Sequence, residues 1–486
     1  MSEKRTRGLL LVGHGSHYNA DSSEPARRQA AAIRALGVFD EVRTAFWKEE
    51  PALCHGVDIT SADDIFVVPF FISSGYFTEQ VVPREMELMP GLNLRGDRRV
   101  FYVEPVGTHA TMTEVLLHRA ETALEGSGVA PSEVSLFIVG HGTAENENSS
   151  AAVHAQVTAI GQLRRFAQVE AALMEEEPSH KTILSRASRP NVVIVPFFIS
   201  DGLHSREDIP CDIGFMKRGE SWKNPVRFQG KTLWYTRAAG LDPRMTDVIL
   251  ERVREVQNPE PRTHSPRRRS LVGNPEFIHT AYRAFLKEVT SKKALLFGQL
   301  WITSERGKIF SIRHEQDRST PDGSLKIHAS PFDNFDIGRL TADGKFRPLK
   351  SAATLPAGWT MPNLNPEVAM EALEFIYPAA VVHWYRQKNG ALHVRSYRET
   401  AERQSGLYEV TKKLTDRQVN EAIKRCCVNR LCMKEICWPI DENTQVGCDD
   451  PRSTIHDPRI PCPEPCSLLM SDARRVLKLK PEPPAE

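Results

Sequence analysis

No apolar run in this chain approaches the roughly 20 residues that a membrane-spanning helix needs, so an integral helical membrane protein is not expected. The opening MSEKRTRG is not followed by a signal-peptide pattern, which makes a cytoplasmic protein the expectation. Neither sign of charge prevails: 63 Lys and Arg stand against 62 Asp and Glu, for a net charge of +1. That balance leaves no reason to expect nucleic acid or an anionic membrane as a main partner. Cysteine is scarce before the tail, where only Cys54 and Cys211 occur, and the C-x2-C spacing common in zinc sites is missing.

What is present is an ordinary soluble composition, 40% hydrophobic and 26% charged, over 486 residues. That length exceeds what one core organises, so three or four domains are expected.

The first half is written twice. At an offset of 127, Gly13-His14-Gly15-Ser16 maps onto Gly140-His141-Gly142-Thr143, VPFFIS at 68–73 onto VPFFIS at 195–200, and Pro83 onto Pro210. After a slip of six residues Gly107 falls opposite Gly240. A repeat of this kind means two copies of one unit. Each copy opens on a buried-strand pattern (RGLLLVG, SLFIVG), then alternates helical stretches with further strands (VRTAFW and IFVVPFF; VEAALM and VVIVPFF). Such alternation predicts a doubly wound parallel sheet, with ligands gathering beyond the carboxyl ends of the strands.

In the second copy His141 lies just past strand one, Glu175 at the end of strand two and His204 a few residues past strand three. These strands are commonly neighbours, so the three side chains are expected to converge. Two imidazoles and a carboxylate suit a divalent ion with open coordination positions. The first copy keeps His14 but has Phe77 opposite His204 and Lys48 opposite Glu175. A phenyl ring and a cation would abolish the site there, so the second copy is expected to carry the chemistry.

The combination of HG[ST] after a first strand with VPFFIS-x-G-x-H-x5-P after a third resembles the class II chelatases of tetrapyrrole synthesis, above all the sirohydrochlorin cobaltochelatase (CbiX-type) and ferrochelatase group. The resemblance covers about residues 7–255. It implies two flavodoxin-like lobes around a cleft for a sirohydrochlorin-type tetrapyrrole, with His141 and His204 as metal-binding, proton-accepting residues and Glu175 as an acidic partner. The activity it implies is insertion of Co2+, or Fe2+, into sirohydrochlorin, and the departures at Phe77 and Lys48 imply one site per chain. The chemistry agrees: metallation removes two pyrrole N–H protons and strips water from the ion, and imidazole serves both tasks. Because the substrate is a polycarboxylate, cations at the cleft are expected, with Arg206, Arg84, Lys48, His17 and His14 as candidates. A monomer or a homodimer would serve, since one chain already supplies two lobes.

The second half changes character. The stretch 255–277 is rich in Pro, Arg and Ser and reads as a linker, Arg267, Arg268 and Arg269 included. LWITSERGKIFSI predicts a hairpin turning near Gly307, PEVAMEALEFIY an amphipathic helix, and Asn389-Gly390 a second hairpin across AAVVHWYRQKNGALHVRSY. A small α+β domain follows from these. Seven cysteines then crowd 41 residues: Cys426, Cys427, Cys432, Cys437, Cys448, Cys462 and Cys466. Without zinc spacing or a secretion signal, they point to one 4Fe-4S cluster, which takes four thiolates at irregular spacing. The resemblance also points there, since some large cobaltochelatases carry a C-terminal cluster. Cys427, Cys432, Cys462 and Cys466 are the chosen set; Cys426, Cys437 and Cys448 remain open.

The expected organisation is therefore two tandem flavodoxin-like (chelatase-like) lobes, 1–127 and 128–258, an accessory α+β region at 259–400 and a Cys-rich iron–sulfur domain at 401–486. A rival reading is a non-catalytic tetrapyrrole-binding or redox-sensing protein on the same scaffold.

Overall fold

Six of the seven residues of RGLLLVG are buried in strand β1 (Arg7–Gly13), as the continuous apolar run requires of a strand covered on both faces. The computed structural model describes residues 5–16, 22–142, 147–221, 223–256, 275–329, 355–377, 379–404, 406–429, 432–447 and 460–476. His17, Thr143, Cys448 and the three arginines at 267–269 lie outside them, as does most of the expected linker. Two units divide the chain, one made mainly of residues 21–46 and 53–273, the other of 16–20, 47–52 and 274–486.

In the first unit β1 is followed by α1 (Glu24–Leu36), β2 (Glu41–Phe46), β3 (Asp64–Pro69), α2 (Val82–Met86), β4 (Gly91–Arg95), β5 (Arg98–Tyr102) and α3 (Met112–Leu124). The same series returns as β6 (Val134–Gly140), α4 (Glu147–Gln162), β7 (Gln168–Leu173), α5 (Ile183–Arg186), β8 (Asn191–Pro196), α6 (Ile209–Ile213), β9 (Val226–Phe228), β10 (Lys231–Tyr235) and α7 (Met245–Glu255). The sheets are ordered β2-β1-β3-β5-β4 and β7-β6-β8-β10-β9. Each has four parallel strands and an antiparallel edge, β4 on β5 and β9 on β10. The expected parallel sheet is thus present, with an edge hairpin added.

One apolar core joins the two lobes. It takes Leu9 and Leu11 from β1, Ile33 from α1, Leu116 from α3, Leu136 and Ile138 from β6, Val153 from α4 and Ile249 from α7. The alternate residues of β6, Phe137 and Val139, cover a separate core with Ile183, Ile209 and Ile213. Polar ties cross between the lobes: Gln29 donates to the Asp242 carbonyl at 2.9 Å, and Thr246 donates to Gln29 at 2.7 Å. Both lobes also make the same close approach. A Cβ at Gly107 would lie 2.1 Å from the Ile72 carbonyl oxygen, and one at Gly240 2.1 Å from that of Ile199, so only glycine fits.

The second unit contains helix α8 (Pro275–Lys292) and a sheet ordered β11-β12-β13-β15-β14, built from Ala294–Phe297, Leu300–Glu305, Ile309–His314, Trp359–Leu364 and Lys326–Ile327. The hairpin at Gly307 forms, with that residue at φ 69°, and PEVAMEALEFI is a helix capped by Asn365. The second expected hairpin does not form. Residues Ala380–Lys388 are helical, and Gly390 follows at φ 65°. Asn-Gly serves a helix end as readily as a tight turn, because both need the left-handed conformation. Packing decides here: Val381, Val382 and Trp384 sit in the domain core with Phe285 of α8, which overrides the strand preference of valine. The Cys-rich part holds helices Tyr397–Glu402, Asp416–Ile423 and Ser467–Val476, and a parallel pair, β16 (Lys434–Ile436) with β17 (Ile460–Cys462). No described helix is long and apolar enough to cross a membrane.

Candidate functional site: paired histidines and a cysteine cluster

Three loops at the carboxyl edge of the second sheet come together because β7, β6 and β8 are adjacent. His141 follows β6 directly, and its carbonyl accepts from the backbone N–H of Met174 at 2.9 Å and of Glu175 at 3.0 Å. This ties the exits of β6 and β7 to one another. The Glu175 carboxylate consequently lies 3.7 Å from Nδ1 of His141. His204 opens a wide helical turn (His204–Asp208) that runs into α6, and its ring meets that of His141 edge-on, centroids 5.3 Å apart.

Hydrogen bonding selects the free nitrogen of each ring. Nδ1 of His141 is 2.9 Å from the Gly142 carbonyl oxygen, an acceptor only, so Nδ1 carries the proton. Nδ1 of His204 is 2.9 Å from the Asp208 carboxylate and donates to it. In the neutral rings both Nε2 atoms therefore keep a lone pair for a metal or a proton. Asp208 is itself held by Arg218 at 2.9 Å. The side chains of His141, His204 and Glu175 are 39%, 51% and 55% exposed, so all three are reached by solvent. Among the described residues the three donor groups do not all lie within 4.8 Å of one another, so gathering one ion requires a side-chain rotation.

Asp208 was not singled out in the sequence, where a carboxylate four residues after a histidine reads as a solvated helix face. The repeat carries the missing signal: at the same offset lobe 1 has Val81, 1% exposed, so Phe77 and Val81 replace His204 and Asp208 together. Of the proposed cleft cations, Arg206 is exposed on the His204 turn, while Arg84 pairs with Glu85 at 3.1 Å. The ammonium of Lys48 lies 4.2 Å from the centroid of the Tyr408 ring, and burial together with the charge of Arg474 pulls its pKa down to about 8. Arg237, unremarked in the sequence, projects beyond β10, half exposed and braced by the buried Asp201 at 2.7 Å.

In the tail, Cys427 lies within a wide helical turn (Lys424–Val428), and the N–H of Cys432 donates to its carbonyl at 2.8 Å. Cys462 lies in β17, and Cys466 immediately precedes helix Ser467–Val476, whose Leu469 N–H donates to the Cys466 sulfur at 3.4 Å. Cys432, Cys462 and Cys466 lie near enough to Cys427 to act on its charge, so these four cysteines belong to one neighbourhood. Cys426 hydrogen-bonds to Cys427 and Cys466 and borders the same group. Cys437 faces elsewhere: its sulfur lies 3.4 Å from the Glu435 carbonyl oxygen and 3.6 Å from Nε2 of Gln387. Among the described residues no three cysteine sulfurs lie within 4.8 Å of one another. The chemistry of the donor set fits a polynuclear cluster, which takes four thiolates at irregular spacing.

A family model described as CbiX matches residues 8–123 and 135–256. Over 271 residues the chain is 39% identical to the probable sirohydrochlorin cobaltochelatase of Halobacterium salinarum, covering 92% of that protein and 52% of this one. The chain belongs to the CbiX chelatase family. This chelatase is also 25% identical over 144 residues to the sirohydrochlorin cobaltochelatase of Methanopyrus kandleri, covering 99% of that protein and 26% of its own length. Its second half matches two further models, a DR2241 stabilising domain at 278–388 and a 4Fe-4S iron-sulfur cluster binding domain at 389–475. The crystal structure of DR2241 from Deinococcus radiodurans, described as a multi-domain protein with structural similarity to chelatases and two additional novel domains, aligns with a TM-score of 0.79 at 27% identity, over 98% of this chain and all of that one. The chelatase thus carries a 4Fe-4S binding domain, and the cysteines gathered in it supply the thiolate donors that such a cofactor takes.

Proposed function

We propose that this chelatase inserts a divalent metal, Co2+ in preference to Fe2+, into sirohydrochlorin, using His141 and His204 of lobe 2. The observation that carries the reading is the pair of imidazoles with both Nδ1 atoms engaged and both Nε2 atoms available at an open sheet edge. Metallation exchanges one M2+ for two protons. The ion sheds water as imidazole nitrogen replaces it, then passes to the four pyrrole nitrogens as their two N–H protons leave. An Nε2 lone pair serves first as ligand and then as proton acceptor, and the carboxylates of Glu175 and Asp208 offset the positive charge that accumulates. The preference for cobalt is supported by the names of the relatives, because imidazole and carboxylate ligands alone do not separate the two ions. Arg206 and Arg237, both exposed, would meet substrate carboxylates.

Cys427, Cys432, Cys462 and Cys466 would hold the 4Fe-4S cluster, which supplies one-electron redox capacity when bound. The chain's own contribution is a mostly apolar shell, with Trp438, Ile440 and Leu469 buried around the cysteines.

The test is anaerobic metallation of sirohydrochlorin followed by its visible spectrum, with Co2+, Fe2+ and Ni2+ in parallel and His204→Ala alongside. Fast insertion that depends on His204 supports the assignment, and the relative rates rank the metals. Tight tetrapyrrole binding with no rate above the uncatalysed control would overturn it in favour of a carrier or sensor.

A further inference from the structure

Lobe 1 keeps one imidazole of the metal site and loses the rest. Nδ1 of His14 is 2.7 Å from the Gly15 carbonyl oxygen, as His141 is held to Gly142 in lobe 2. The His14 ring meets Phe77 edge-on at 4.8 Å with 77° between planes, where His141 and His204 meet at 5.3 Å and 84°. The geometry of the pair is kept while its second nitrogen donor is gone. With Lys48 over Tyr408 and Val81 buried, no carboxylate stands at the positions of Glu175 and Asp208.

In their place lobe 1 has built up rings. Phe71 stacks on Phe77 at 5.9 Å with 14° between planes, and Tyr76 meets Phe77 edge-on at 5.7 Å. Tyr76 remains 37% exposed, and His14 is exposed beside it. The corresponding residue of lobe 2, Leu203, is also apolar and is 58% exposed, directly before His204. A single exposed apolar side chain is ordinary, but on lobe 1 Tyr76 belongs to a run of touching rings, His14, Phe71, Tyr76 and Phe77. The carboxyl end of the strands is where such sheets receive ligands. What these residues offer is flat apolar surface, suited to stacking on a planar π-system.

We propose that His14, Phe71, Tyr76 and Phe77 form a binding wall for the tetrapyrrole macrocycle, with Leu203 as its apolar counterpart on lobe 2. Lobe 1 has exchanged metal ligation for macrocycle binding, which keeps the divalent ion at a single site in each chain. This assignment rests on the chelatase reading above, since it takes the flat substrate from it.

The experiment uses the full chain under anaerobic conditions and two titrations. Metal-free sirohydrochlorin is titrated by its visible absorption and emission, and Co2+ alone by calorimetry. Variants are Phe77→Ala and, because that ring is partly internal, the exposed Tyr76→Ser. Tetrapyrrole affinity should fall about tenfold in each, with Co2+ affinity unchanged. If the parent chain metallates sirohydrochlorin and both variants bind the free macrocycle as tightly as it does, the wall is overturned. A loss of Co2+ affinity with unchanged macrocycle binding would overturn it as well. If the parent chain neither binds nor metallates sirohydrochlorin, the chelatase reading itself fails, an outcome distinct from the other two.

Discussion

Asp208 Oδ2 lies 2.9 Å from Nδ1 of His204, one helical turn further along the same element. A carboxylate in that place fixes the imidazole tautomer and turns Nε2 outward. Asp208→Asn keeps the size and the contact while removing the charge. Metal insertion should slow by about 10- to 100-fold, with metal affinity reduced and tetrapyrrole affinity kept. Steady-state rates at varied metal, paired with a macrocycle titration, check this; unchanged rates would make the contact a surface pair.

For the cluster, Cys462→Ser or Cys427→Ser should abolish the 4Fe-4S absorption and lower iron and sulfide content after anaerobic reconstitution. Cys437→Ser should leave both intact, since its sulfur faces Gln387 and the Glu435 carbonyl. Cys426→Ser separates a bordering thiol from a ligand: the spectrum should persist. A full cluster in Cys462→Ser would remove that residue from the set.

Much of the chelatase half was legible because the chain is a repeat. The offset of 127 aligns β1 with β6, β2 with β7 and β3 with β8, and the difference between Phe77 and His204 already separated the lobes. Contacts made far along the chain stayed hidden. The surroundings of Lys48 are one case, because nothing local reveals that Tyr408, 360 residues on, lies under its ammonium. Asp208 stayed hidden because the wide turn that aims it at His204 has no periodicity of its own. Asn389-Gly390 misled for a different reason, since the dipeptide fits both structures and the apolar stripe of Val381, Val382 and Trp384 decided between them.

The matched glycines give a stability test of the repeat. Gly107→Ala and Gly240→Ala would each push a methyl group against a backbone carbonyl 2.1 Å away, where no flexible side chain can yield. Each should destabilise the chain by at least about 1–3 kcal/mol, read from urea unfolding. If either variant unfolds like the parent, the close approach in that lobe is relaxed in solution.

Lys48 supplies the pH test. Burial, reinforced by Arg474, holds its pKa at about 8, whereas an unfolded chain gives lysine about 10.4. Between these values the unfolded chain binds the proton more tightly than the folded one. Raising the pH through that window therefore removes a penalty on folding, and below pH 8 the penalty is present in full. Lys48→Met bears no such penalty at any pH. The stability of the parent relative to Lys48→Met should accordingly rise as pH increases from 7.5 to 10, measured by urea unfolding at fixed ionic strength. A difference that stays flat over that range would mean the ammonium keeps its water, and the Tyr408 ring would then be a surface contact rather than the place where this loop is buried.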